Sequence, residues 1–324
     1  MKRRQLMLGT LATVAPLAAP AIAQPAWPAK PVRFIVPFAA GGGTDTVSRL
    51  ICDQLGKTFN QSFVIDNKGG AGGNIGTVEL AKAPPDGYTL GLISVASHTL
   101  NPMLYSKLPY DPDKDLIAIS RVAMLANLLG VTKKLEVNNV AELIALCKKE
   151  PGKYSFASSG PGTSLHLSGE LFKAMAGVDI IHVPYKGAGP AYGDLIAGTV
   201  HMMFANMPSM IGQVRGGKVH GLGVTSAERS KAAPDIPAIA ETVPGYVATS
   251  WYGVAAPAGT PEPIVARIEA AIIQALAAPE IEKRWTGDLG LDIPPGGRAG
   301  FAEFIANDRK QWAPAVKVSG VKLD

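Results

Sequence analysis

Cysteine is nearly absent from this chain, with Cys52 and Cys147 the only two in 324 residues. That scarcity excludes a disulfide framework. Cys147 falls on the apolar stripe Val140, Leu143, Ile144, Cys147, which reads as a buried core thiol rather than half of a bridge. Metal-ligand spacing is missing as well: the histidines at 98, 166, 182, 201 and 220 form neither H-x-x-x-H nor H-E-x-x-H. No lysine follows a glycine loop in the manner of a P-loop. The stretch Gly69 to Gly76 fails the dinucleotide pattern because Ile75 stands where the third glycine belongs. No Lys/Arg cluster is dense enough for a nucleic-acid or anionic-membrane surface. After residue 23 no run approaches eighteen apolar residues, and no internal repeat recurs at a fixed period.

The chain start reads differently from the rest. Lys2-Arg3-Arg4 precedes an apolar run from Leu6 to Ala23 that is interrupted by Pro16 and Pro20 and ends Ala21-Ile22-Ala23. A basic region, an apolar core and a small-x-small site predict a secretory signal cut after Ala23 (residues 1–23), by either the general or the twin-arginine route. Gln24 is not the cysteine a lipoprotein needs. The signal holds three of the 31 basic residues and none of the 26 acidic ones, so 28 remain against 26 and the mature charge is +2.

About 300 mature residues exceed one ordinary core and predict two domains. Short apolar runs at 32–38, 63–66, 88–94, 154–158, 179–185, 200–205 and 219–225 read as strands, several of them buried on both faces. Helical patterns lie between them. Thr44 to Phe59 carries Val47, Leu50, Ile51 and Leu55 on one face, and Asn139-x-x-Glu142 caps the helix that holds Cys147. Pro190 to Gly198 starts at proline and ends at glycine, and Thr260-Pro261 opens a helix with Val265, Ile268, Ile272 and Leu276 inward. The alternation predicts an α/β fold of two lobes, each a mostly parallel sheet flanked by helices. Lobe 1 is expected over 24–124 plus 250–324 and lobe 2 over 125–249, with crossovers near Met124 to Leu128 and Ser250 to Val254.

Two stretches share one design, a short apolar strand, a glycine loop and the first turn of a helix. One runs from Phe34 through Phe38, Ala39 and Ala40, Gly41-Gly42-Gly43, to Thr44-Asp45. The other runs from Tyr154 through Ser158-Ser159 and Gly162 to Thr163-Ser164. A helix start presents unpaired N–H groups and about half a positive charge, and glycine lets a ligand approach the backbone. Ligands of open α/β sheets sit beyond the carboxyl ends of the strands. Two lobes would bring these anion cradles face to face around a small carboxylate, and neither loop contains Lys or Arg.

The segments 31–45 (PVRFIVPFAAGGGTD), 67–76 (NKGGAGGNIG), 83–90 (APPDGYTL), 108–115 (LPYDPDKD), 154–166 (YSFASSGPGTSLH), 174–187 (AMAGVDIIHVPYKG) and 250–260 (SWYGVAAPAGT) keep their order from about Trp27 to the C-terminus. Together they resemble the Bug-type, TctC-like receptors, the periplasmic solute-binding proteins of tripartite tricarboxylate transporters. The resemblance implies a hinged, Venus-flytrap fold of the type II-like periplasmic binding-protein kind. It also implies no catalysis and no metal or organic cofactor. The expected partners are a small organic carboxylate, such as a dicarboxylate, or a related solute, and the cognate membrane permease subunits, with the receptor itself a monomer. Many relatives have proline where this chain has Ala39 and Ala40, a departure at the mouth of the first cradle.

The candidate ligand-binding residues follow. From the first loop they are Phe38, Ala40, Gly41, Gly42, Gly43, Thr44 and Asp45. A carboxylate at Asp45 suits the helix start but would repel an acid, so loop support is the better reading there. From the second loop they are Ser158, Ser159, Gly162, Thr163, Ser164 and His166, with Thr163 open to a capping role and His166 open to packing under the loop. Ser97 and His98 follow the strand ending at Ser94. Lys186 and Gly187 follow the strand ending at Tyr185, and Asn206 ends another. Trp251 and Tyr252 serve either as hinge packing or as a pocket wall.

A hydrolase is the main rival, because Gly162-Thr163-Ser164-Leu165-His166 nearly matches G-x-S-x-G. However, His166 replaces the small final residue that a nucleophile elbow needs, and it is poorly offset to act as a base on Ser164. Delivery to a permease and signalling to a membrane kinase would use the same capture chemistry.

Overall fold

The computed structural model describes residues 27–323. The predicted signal, its cleavage site and its export route lie outside the described residues. The elements run β1 (Val32–Val36), α1 (Gly43–Phe59), β2 (Phe63–Asn67), α2 (Asn74–Ala81) and β3 (Thr89–Ser94). A π-helical segment (Ala96–Leu100) then continues into α3 (Asn101–Leu104). Next come β4 (Leu116–Thr132), α4 (Val140–Lys149), β5 (Ser155–Ser158), α5 (Ser164–Ala176), β6 (Ile181–Pro184), α6 (Ala188–Ala197), β7 (Met202–Asn206), α7 (Met207–Arg215) and β8 (Val219–Val224). The chain ends with β9 (Thr249–Pro257), α8 (Glu262–Leu276), α9 (Pro279–Glu282), β10 (Leu291–Asp292) and α10 (Phe301–Ser319).

Local signals account for many of these elements. The α1 face Val47, Ile51 and Leu55 is buried, as is the α8 face Val265, Ile268, Ile272 and Leu276. Asn139 caps α4 by accepting the Glu142 N–H at 2.8 Å, and the Glu142 carboxylate accepts from the Asn139 amide at 2.8 Å. The first of these bonds satisfies a donor that a bare helix start leaves open. All seven runs read as strands overlap a strand.

The sheet is mixed rather than mostly parallel, in the order β2-β1-β3-β9-β4-β7-β5-β6, with β8 and β10 also on β4. Parallel triplets stand at both ends, β2-β1-β3 and β7-β5-β6. Between them β4 and β9 run antiparallel to their neighbours. The 17-residue β4 joins the two lobes: Leu116 to Ala126 pairs with β9, and Asn127 to Thr132 pairs with β7 and β8. The chain passes back beside it. Buried Thr225 accepts the Asn127 N–H at 2.8 Å and donates to the Ala248 carbonyl at 2.6 Å, so one hydroxyl pins both passages together.

Two apolar cores result. One packs β1, α1, the first half of β4, β9 and α8. The other packs α4, α5, α6, β5 and β7, and extends to α10 through Phe301, Ile305 and Trp312. Cys52 lies in the first and Cys147 in the second, both as free thiols. Burial raises both thiols, Cys147 to about 11. Helix α10 packs on α5 while Asp308 accepts from Trp251 Nε1 at 2.8 Å and from the Thr99 hydroxyl. Among the described residues, no helix is long and apolar enough to cross a membrane.

Candidate functional site

The parallel strands β1, β3, β5, β6 and β7 are each followed by a helix, and all five helix starts meet at one cavity. Gly42, Gly43 and Thr44 reach it from α1, and Val95 and Ala96 from the π-helical segment. Thr163, Ser164 and Leu165 reach it from α5, Ala188 from α6 and Asn206 from α7. Phe38, Ser94, Ser159, Ser250 and Tyr252 complete the wall. None of these side chains is charged. A crossover fold puts helix N-termini at one end of the sheet, so the positive character of the site comes from backbone dipoles.

Four of the five helix starts lack a side-chain cap, namely those preceded by Gly42, Val95, Gly187 and Asn206. Only α5 has one. Thr163 Oγ1 accepts the His166 N–H at 3.3 Å and donates to the Gly160 carbonyl at 2.7 Å. The Thr163 hydroxyl therefore serves the loop. A buried helix start without a partner normally finds one in a ligand or water, which makes these starts candidate donors to whatever the cavity holds.

The first loop is braced from behind. Asp45 accepts the Gly41 N–H at 3.1 Å, both Arg49 Nε and Nη2 at 3.0 Å, and the Asn67 amide at 3.2 Å. Burial alone would raise the Asp45 carboxyl, but these hydrogen bonds outweigh it and hold the group below its ordinary range. The charge is thus compensated and turned away from the cavity. Gly43 is confined: a Cβ there would lie 2.7 Å from Asn206 Cβ and 3.2 Å from the Tyr252 hydroxyl.

Tyr252 supplies the most telling side-chain atom. Its hydroxyl is buried at the cavity and has no hydrogen-bond partner. Burial first, then the nearby Tyr192, pushes the phenol well above its usual value, so it stays a neutral donor. An orphaned buried hydroxyl costs about 1–3 kcal/mol, which native structures tolerate for a reason. Across from it the Asn206 amide donates to Asn127 Oδ1 at 2.8 Å, and Asn127 donates to Ser168 Oγ at 3.0 Å, which fixes the Asn206 side chain at the rim of β7.

The second loop is held by imidazoles. Gly162 donates its N–H to His166 Nδ1 at 3.3 Å, and Ser158 Oγ faces His182 Nε2 at 2.7 Å while accepting the Gly160 N–H at 3.1 Å. The two rings stack with centroids 4.0 Å apart. Burial, with His182 adding to it, lowers His166 to about 3, and burial lowers His182 to about 4, so both are neutral.

Of the candidate residues, Phe38, Gly42, Gly43, Thr44, Ser159, Thr163, Ser164, Asn206 and Tyr252 come together on the cavity wall. Ala40 and Gly41 are exposed at its rim. Asp45, Ser158, Gly162 and His166 brace the loops from behind. Ser97 Oγ accepts the Ser94 N–H at 3.1 Å, and the His98 ring packs edge-on against Trp251. Lys186 is exposed and meets the first loop through its carbonyl, and neither it nor Gly187 lines the cavity. Trp251 is fully buried and tied to Asp308, away from the wall. Wall residues not anticipated are Ser94, Val95, Ala96, Leu165, Ala188 and Ser250. The helix signal at Pro190 pointed to Ala188 but placed the start two residues late, whereas Ser250 carried no local signal. Among the described residues, no group of three or more His, Cys, Asp or Glu could hold a metal.

Residues 47–321 match the family model described as tripartite tricarboxylate transporter family receptor. Protein BugT of Bordetella pertussis (strain Tohama I) is 36% identical over 328 residues, covering all of this chain and 99% of BugT. Among solved structures, Rpa4515 of R. palustris with adipate superposes with a TM-score of 0.87 at 37% identity, over 91% of this chain and 99% of that one. MatC (Rpa3494) of Rhodopseudomonas palustris with bound malate gives 0.83 at 33% identity, over 90% and 100%.

Proposed function

This chain belongs to the receptor family of the tripartite tricarboxylate transporters, and from that premise we propose that it captures one small organic carboxylate between its lobes in the periplasm and hands it to a membrane permease. The observation that carries this reading is the convergence of uncapped helix starts and the unpartnered Tyr252 hydroxyl on a cavity with no charged wall residue. Such a wall offers donors from several directions and charge from none. That suits a carboxylate, which accepts only. Hydrogen bonds to a charged group contribute about 1.5–3 kcal/mol each. Four or five, less the ordering cost, reach the ~8 kcal/mol of a micromolar complex.

In this reading the lobes are 24–124 with 250–324 and 125–249, and closure bends β4 and the returning chain where Thr225 joins them. The signal is removed after Ala23 and the mature receptor works as a monomer. In this reading it is a receptor and not an enzyme, in line with the receptor family it belongs to, and His166, the nearest imidazole in sequence to Ser164, is engaged with the Gly162 N–H. The phenyl ring of Phe38 and the apolar Val95, Leu165 and Ala188 suit a ligand with an apolar body.

Calorimetry on the mature protein against C3–C9 mono- and dicarboxylates and their aromatic relatives tests this directly. At least one acid should bind, and its methyl ester should bind far more weakly. An ester that binds as tightly as its acid would rule out carboxylate capture.

A further inference from the structure

The loops that enclose the cavity touch across the lobe boundary through backbone, and glycines mark the contacts. Ala39 N–H donates to the Lys186 carbonyl at 3.2 Å. A Cβ at Gly189 would overlap the Ala40 carbonyl oxygen, and one at Gly72 would overlap that of Pro161. Gly72 has φ +62, so its conformation alone favours glycine there. Gly189 differs. Its φ is not left-handed, it lies in the first turn of α6, and the three atoms nearest its virtual Cβ, Ala40 O, Ala40 C and Gly41 Cα, all belong to the opposite loop. Nothing in the conformation of α6 calls for glycine at 189, and alanine is the better helix former. The position is explained by the approach of the first loop.

We propose that Gly189 is a positioning residue for ligand capture: the missing side chain sets how closely the two lobes meet, and a single methyl group there props the receptor open. This rests on the two-lobe capture reading. Ala188 lines the cavity and residue 189 does not, so the effect acts through closure. Apparent affinity falls with the fraction of molecules able to close.

Gly193→Ala is the matched control, in the same helix with nothing within 4 Å of its virtual Cβ. Both alanine variants should melt at or above the wild-type temperature. For a carboxylate that the wild type binds, Gly189→Ala should lose at least about tenfold in affinity through the reduced closed fraction, while Gly193→Ala should match wild type. Equal affinity in the two variants would overturn the proposal. A second readout needs no ligand. Ala39→Cys with Lys186→Cys places thiols on the two touching loops, and a short bis-maleimide links them only when the lobes meet. The native cysteines are buried. Crosslinking should slow at least about tenfold when Gly189→Ala is added and stay unchanged with Gly193→Ala. Equal rates would overturn the proposal. Failure of the capture reading is distinct, since there the wild type binds no carboxylate while the crosslinking rates still separate the two alanines.

Discussion

Replacing Tyr252 by phenylalanine separates binding from folding at one atom. The ring is fully buried in β9 and packs in the first core, so the Tyr252→Phe variant keeps the shape and removes only the hydroxyl. That hydroxyl makes no hydrogen bond within the protein, so its loss leaves no other group unpaired. The ligand-free receptor should be at least as stable as wild type, with a gain of up to about 1–3 kcal/mol, because an unpaired buried polar group is being removed. Binding should respond in the opposite sense. A hydrogen bond to a carboxylate contributes about 1.5–3 kcal/mol, so affinity should fall by roughly 10- to 150-fold. Urea unfolding of the ligand-free variant and calorimetry with the tightest-binding acid measure the two quantities independently. A variant with lower stability and unchanged affinity would show that the hydroxyl is structural, and the donor array would lose its side-chain member.

Other consequences follow from the same geometry. Gly43→Ala directs a methyl group at Asn206 and the Tyr252 hydroxyl, so calorimetry should show a loss in affinity of more than about tenfold, the scale at which 1.4 kcal/mol of misfit registers. The buried neutral imidazoles of His98 and His166, both held near 3 by burial, bind a proton more readily in the unfolded chain. Stability should therefore be fully present above pH 6.5 and be lost as pH falls from there towards 3, by about 1.4 kcal/mol per pH unit for each histidine. His98→Phe should flatten the slope of melting temperature against pH over that window. Asp45, whose carboxyl is depressed, contributes stability present above its ordinary value of 3.8 and lost as pH falls further. At neutral pH Asp45→Asn should weaken binding by releasing the Gly41 N–H and Arg49, with little change in the cavity wall itself.

Both glycine loops were legible in the sequence because each sits in a repeated context. A continuous apolar strand, glycines and a helix with a clean apolar face identify the crossover unit, and the crossover unit dictates which end of the sheet the loops occupy. Asp45 was readable as support because a carboxylate facing the ligand would oppose it. The central strands were not legible. In β4, Ser120, Arg121 and Asn127 interrupt the apolar run, two register shifts against β9 break the alternation, and the strand serves both lobes. With β4 and β9 read only as crossovers, Ser250 had no position on the wall and the sheet was expected to be mostly parallel. The bracing of the second loop by His182 was equally hidden, since His182 and Ser158 meet only through the β5–β6 register. The uncapped state of four helix starts is a property of the assembled site. Local sequence shows a helix beginning, but not whether a neighbouring side chain caps it.

A crystal structure of the mature protein with its tightest-binding acid would show whether main-chain donors hold the carboxylate. A carboxylate is expected inside the cavity, its oxygens about 2.7–3.2 Å from main-chain N–H groups at the uncapped helix starts, that of α1 among them, and from the Tyr252 hydroxyl. A carboxylate held instead by a lysine or arginine side chain, or seated outside the wall formed by residues 42–44 and 163–165, would contradict this expectation.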